Sequence, residues 1–507
     1  MRIAQRRVAE SASFPAPVGG WNARDSIGAM EISDAVSLTN WFPGTTEVML
    51  RQGYTVWASG IGGQVETLFS FAGASTTKLF AAAANSIYDV TNAGAVGAPV
   101  VTGLTNARFQ YVNMETAGGN FMLSVNGADK MRYFDGTSWD VDGGGTYTIT
   151  GADTSTWIDL TLHKQRLWGI KKNSLIAYYM PIGSIQGAAT TFDLSAFFQR
   201  GGSLVAVSTW TVDGGQGVDD FLVFMTSRGE VLVYGGNDPL GSWALRGLYR
   251  MGAPVGNRAM YKWGGDLLVI SQDGLIPLSE AIQSDRTSPK SALSQKIQYA
   301  ISSAITSYGS NFGWQVMNYP RNNMLILNVP ISPGSQQQYV MNALTGAWCN
   351  FTGWGANCWA LYQDNAYFGG NGFVGLAFNG YMDNGSNITA DGLQAFSYFK
   401  APGTRKRFTM LRPIFRATGQ FSAQASLNVD FDTNTPAVSI ALTPTTFGTW
   451  DVSLWDVGLW GGIDIYKNWQ GASGTGYSAA PRVTVASQGT DVRWVSTDIV
   501  FERGAIL

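Results

Sequence analysis

Residues 220–234 read "DFLVFMTSRGEVLVY". Two apolar runs flank an Arg-Gly turn, and glycine supplies the positive φ that a tight hairpin demands. The segment is therefore a β-hairpin. Six other segments are read as hairpins too: 78–90, 120–139, 165–179, 265–278, 322–348 and 364–378. Most turn on a dipeptide such as Asn-Gly or Asp-Gly. Their starts, with that of 220–234, fall 42, 45, 55, 45, 57 and 42 residues apart. A beat of about 40–45 residues is that of a β-propeller, in which each blade is a small sheet. One blade cannot bury both faces, but blades packed radially cover one another and leave few open strand edges.

The bulk numbers agree. The chain has 507 residues, more than one ordinary core holds, so two or three structural units are expected. Its 62 glycines against 17 prolines, without a collagen period, mark turns, and its 18 Trp, 20 Tyr and 26 Phe suit short strands. Lys and Arg number 33 against 35 Asp and Glu, which argues against a dedicated nucleic-acid binder. The start, "MRIAQRRVAESASFPAPVGG", is basic but lacks the apolar run of a signal peptide, and no stretch is apolar for the length of a membrane span. The expectation is a protein made in a cytoplasm that stays soluble.

The 57-residue interval holds "SPKSALSQKIQYAISSAITSYG", residues 288–309, the best helix in the chain. Ser288 can cap it, Pro289 fits its first turn and Gly309 can end it. Leu293, Ile297, Ile301, Ile305 and Tyr308 share one stripe, for packing on the propeller or for a subunit contact. After about residue 400 the pattern changes. "FSAQASLNVDFDT" alternates, and Trp450, Trp455 and Trp460 stand five apart. The fold class expected is all-β: a β-propeller with an inserted helix and an additional C-terminal β-sandwich-like unit. The expected divisions are an N-terminal arm with first strands (1–60), a propeller (61–399, helix 288–309) and a C-terminal unit (400–507).

Chemistry is sparse. Cys349 and Cys358 read as small, half-buried side chains on neighbouring strands rather than as a disulfide or zinc site. His163, the lone histidine, has no nucleophile elbow nearby. "DVDGGG" (140–145) opens like a calcium loop but lacks the later acidic ligands. "DFD" (430–432) reads as two carboxylates on the solvated face of a strand, and "GASGTG" (471–476) as a loop. No catalytic, cofactor or metal residue is assigned. A glycan-cleaving propeller would need carboxylates converging at one mouth.

Four stretches carry a resemblance. They are "DAVSLTNWFPG" with "VMLRQGY" (34–54), "LSQKIQYAI" before "GWQVMNYPRNNMLILNVP" (293–330), "YVMNALTGAWCNFTGWGANCWALYQDNAYFGGNGFVG" (339–375), and "WVSTDIVFERGAIL" (494–507). In order and spacing they resemble the tail nozzle proteins of short-tailed bacteriophages, also called tail tubular protein B or packaged-DNA stabilisation proteins. The resemblance implies a homo-hexameric ring below the adaptor (head-to-tail connector) ring, tail fibres or spikes at the periphery, and double-stranded DNA passing through the channel. It implies a structural virion component rather than an enzyme. The alternative is a virion-attached receptor- or glycan-binding β-propeller.

Within the leader, Ser33 can cap a short helix over "DAVSLTN" that "WFPG" stops. A strand over "EVMLRQGYTVW" then follows, with Val48, Leu50, Tyr54 and Val56 on one face. The leader either closes a sheet of its own subunit or docks the adjacent ring, with Trp41 and Phe42 as candidate contacts. "KAPGTRKRFTMLRPIFR" (400–416) has six basic residues and no acid, and puts Phe408, Met410 and Arg412 on one side of a strand. Its tip, Arg405, Lys406 and Arg407, is the other candidate partner surface, with a solvated strand and contact with DNA as the alternatives. Changing all three to Gln is expected to spare the fold and weaken ring assembly.

Overall fold

The computed structural model describes residues 9–213, 218–282, 292–435, 440–441 and 464–504. Seven antiparallel sheets stand around one axis. Their innermost strands touch in a closed circuit: the second half of Tyr54–Ala72, then Gln110–Thr116, Trp157–His163, Leu204–Asp213, Met260–Trp263, Gln315–Tyr319 and Cys358–Tyr362, which returns to the first. Each hairpin read from the sequence forms the second and third strands of one blade. Blades two, four and six have four successive strands of their own, and blade three has four with the short strand Gly187–Ala188 interposed before the last. Gly229 and Gly274 take φ of +78° and +113° at their turns. The turns at Lys164–Gln165 and Gln363–Asp364 reach the same left-handed region without glycine.

The remaining three blades are completed in other ways. Blade seven takes its fourth strand from the N-terminal side: Ala377 pairs with Tyr54, Val374 with Ala58 and Phe373 with Ser59. The long strand Tyr54–Ala72 then continues as the inner strand of blade one, where Phe69 faces Phe80. One strand thus belongs to the last blade and the first, which closes the ring. Among the described residues blade five has three strands, Met260–Trp263, Asp266–Ser271 and Gly274–Pro277. The helix Gln298–Tyr308 packs over it and blade six. Ile297, Ile301 and Ile305 are buried in one cluster with Leu268, Leu275, Leu325 and Leu327. The stripe therefore lies on its own propeller. Residues 288–291, which include the expected cap, lie outside the described residues. Gly309 has φ of −58°, so the helix ends without a left-handed glycine.

The second unit is a β-sandwich, but not of C-terminal residues alone. One of its sheets joins Ala9–Pro15, Val492–Arg503, Lys406–Ala417, Val48–Leu50 and Trp41–Pro43. The other joins Asp34–Thr39, Ile388–Gln394, Ala479–Ser487 and Ser422–Val429, and it runs on without a break into blade six. Propeller and sandwich share one ten-stranded sheet and one apolar core, with Trp41, Trp494, Phe415, Phe351, Trp354 and Phe368 in it. Residues 9–50 and 388–394 therefore pack with the C-terminal strands.

Several local expectations are corrected. "DAVSLT" is a strand, not a helix. It pairs with Ile388–Gln394 on one side and meets Trp348–Phe351 on the other, so sheet bonds from distant residues outweigh a local cap. The strand over "EVMLRQGYTVW" is broken at Gly53, where a Cβ would strike the backbone of Met382. "DFD" is a turn, with Asp430 and Phe431 at φ of +49° and +66°. "GASGTG" lies in the strand Gln470–Gly476, because Lys406–Leu411 pairs with it. A bulge between Phe408 and Met410 shifts the alternation there, so Phe408 and Leu411 both point inward and Met410 is exposed. Trp450, Trp455 and Trp460 lie outside the described residues.

Candidate functional site

The seven inner strands enclose an axial cavity of about 220 Å³. Every blade contributes to its wall, through Thr67, Tyr111, Asp159, Ser208, Tyr261, Gln315 and Trp359 among others. Asp159 is the one carboxylate among the described residues of that wall. Its oxygens accept the N–H groups of Leu160 and Val207, each at 2.9 Å. Burial pushes its pKa up to about 7, against those two hydrogen bonds. A single carboxyl held by backbone amides lacks the second acid that glycoside hydrolysis uses.

The cavity opens toward the end where the inner strands begin. Arg258 lies on this boundary. Its Nη2 donates to the Glu66 carbonyl, Thr67 Oγ1 and the Phe109 carbonyl, and its Nη1 to Gln315 Oε1, so one guanidinium ties blades one, two, five and six. The Phe312 ring sits between two guanidinia, 4.7 Å from Arg108 and 5.1 Å from Arg258. Arg108 Nε donates to Glu66 Oε1 at 3.0 Å.

His163 ends the inner strand of blade three, its ring edge-on to Trp243. Burial lowers its pKa to about 4, so it is a neutral interior ring at physiological pH. Asp140 and Asp142 bind backbone N–H groups of Val141, Thr146 and Ile149, which is turn chemistry rather than ion chelation. Among the described residues no three His, Cys, Asp or Glu side chains cluster for a metal. Cys349 and Cys358 are free, buried and in different clusters, and burial raises both thiol pKa values.

The residues proposed for partner binding fare differently from one another. Trp41 and Phe42 are interior, at 0% and 4% exposure, with Trp41 against Trp494 and Phe42 against Phe351. Their burial in the shared core removes them from any docking surface. Lys406 is also fully buried. Its ammonium donates to the carbonyls of Ala401, Thr404 and Tyr477 at 2.7, 2.9 and 2.9 Å, which uses all three protons. Arg405 and Arg407 remain exposed. The residue that sequence reasoning overlooked is Arg51. It is 1% exposed and spends its donors on Asn40, Gln52, Thr352 and both oxygens of Asp383. The only signal was an arginine within an apolar, strand-like run, "VMLRQGY".

No family model matches the chain, and no curated protein matches it. Among solved structures, similarity extends to BBS1N in its complex with ARL6DN, at 12% identity and a TM-score of 0.30, over 48% of this chain and 78% of that one. It extends also to a chain of the mitotic checkpoint complex, at 10% identity and a TM-score of 0.36, over 66% and 96%.

Proposed function

We propose that this chain is a structural subunit of a short-tailed phage tail, a nozzle protein that assembles as a six-membered ring beneath the adaptor. One observation carries the reading. The four stretches that resemble nozzle proteins are scattered in sequence but meet in space, in the ten-stranded sheet and the sheet packed against it. Val48 pairs with Trp494, Thr39 with Asn350, and Met324 with Asn342. A stiff junction of that kind suits a subunit that holds its two halves at a set angle within a ring. The axial cavity of the propeller cannot be the conduit, because about 220 Å³ is far too small for a duplex whose grooves alone are about 6 and 12 Å wide. The DNA path would lie between subunits, on the ring axis. Near-neutral charge suits such a lumen, since many basic contacts would hold DNA tightly. The polar axial cavity favours a second reading, a virion-attached receptor- or glycan-binding propeller.

Electron microscopy of the purified protein, alone and with its adaptor, tests this. The expected image is a monomer that joins a six-fold ring on the adaptor, or a free six-fold ring with an axial hole. A stable trimer that ignores the adaptor would overturn the nozzle reading.

A further inference from the structure

At the mouth of the propeller, Arg108, Lys172 and Arg258 line one hollow of about 220 Å³ together with Asn257, Gln110 and Phe312. No carboxylate lines it among the described residues. The nearest acids are engaged elsewhere. Glu66 binds Arg108 Nε, and Asp129 binds Asn126 of its own turn and Thr105 of the loop before blade two. Arg258 has carbonyl, hydroxyl and amide partners but no ion pair among the described residues. Its buried charge therefore has no paired carboxylate, and Glu66 acts on it only from its place beside Arg108. Lys172 Nζ makes one long bond, 3.4 Å to the Gly127 carbonyl, and the Nη groups of Arg108 have no acceptor among the described residues. Phe312, stacked between the two guanidinia, fixes their planes and walls the hollow from a neighbouring one of about 310 Å³.

We propose that this mouth is a binding site for a phosphate-type oxyanion, free or as the phosphate group of a small sugar phosphate. Cations converging in a semi-enclosed hollow, with unused N–H donors, match the charge and the acceptor-rich surface of phosphate. Arg108 and Lys172 provide the direct contacts. Arg258, whose donors are mostly spent, adds positive potential from the wall. Such an ion would neutralise like charges held together by the fold, so binding also stabilises the ring of blades.

Isothermal titration of the full chain at low ionic strength tests the site, with inorganic phosphate in one arm and glucose 6-phosphate in the other. Binding in either arm is expected, with an affinity that falls at least about tenfold in Lys172→Gln and Arg108→Gln. Phosphate binding alone identifies the free ion, whereas tighter sugar-phosphate binding places the sugar along the hollow. Lys172 is exposed and makes one weak contact, so Lys172→Gln keeps the fold where Arg108→Gln perturbs it. Circular dichroism of both variants checks this. No heat in either arm, or binding that both variants leave unchanged, overturns the proposal.

Discussion

Arg51 shows how one side chain can hold a junction. Its fork engages the leader, the end of blade six and Asp383, and it stacks at 4.8 Å over Trp354, whose Nε1 donates to the same carboxylate. Arg51→Met would leave that carboxylate poorly compensated. A loss of about 3–5 kcal/mol in urea unfolding at pH 7 is expected. Lys406 plays a similar structural part. Lys406→Met should cost about 1–3 kcal/mol by stranding three carbonyls, while Arg405→Gln and Arg407→Gln should each stay within about 0.5 kcal/mol. A test of the basic tip as a partner surface therefore needs the two arginines changed without the lysine. His163 sets a pH dependence. Its folded pKa of about 4 lies below the usual value of about 6.5, so the unfolded chain binds the extra proton first. Its contribution is complete above about pH 6.5 and is lost as pH falls toward 4, by up to about 3 kcal/mol. The difference in unfolding free energy between wild type and His163→Gln, followed from pH 7 to 4, should shrink by that amount.

Among the elements, the helix Gln298–Tyr308 replaces a strand as the cover of blade five. It has no side-chain cap at its N-terminus and is held by the face it buries. Ile301→Ala should cost about 2–4 kcal/mol by opening a cavity against Leu268 and Leu327, measurable as a lowered urea midpoint with an unchanged slope. The strand Lys406–Ala417 teaches a different lesson. Its alternation was legible, but the bulge between Phe408 and Met410 was not, because a bulge is set by pairing to Gln470–Gly476 and Val492–Arg503 rather than by its own residues.

For the molecule as a whole, closure by Tyr54–Ala72 and the shared sheet make the two units one body. A chain of residues 61–399 lacks the residues that pair with Phe373–Ala377 and exposes the apolar face of blade six. Circular dichroism and size exclusion should show that it aggregates or melts without cooperativity. The full chain should give a single calorimetric transition, since one core spans propeller and sandwich. Two well-separated transitions would mean that the shared sheet does not couple them.

The sequence by itself determined the hairpins, their beat and the apolar stripe of the helix. These depend on residues within a turn or two of each other: a glycine with positive φ, alternating β-formers, isoleucines three to four apart. Only the tertiary structure decided where the leader goes. Asp34–Thr39 carries enough local helix signal to mislead, and it became a strand because two distant strands offered their backbone bonds. Only the tertiary structure set Trp41, Phe42 and Lys406 inside, since burial depends on what the rest of the chain stacks against a residue. The basic mouth was invisible for the same reason. Arg108, Lys172 and Arg258 come from three different blades, and ring closure alone makes them neighbours.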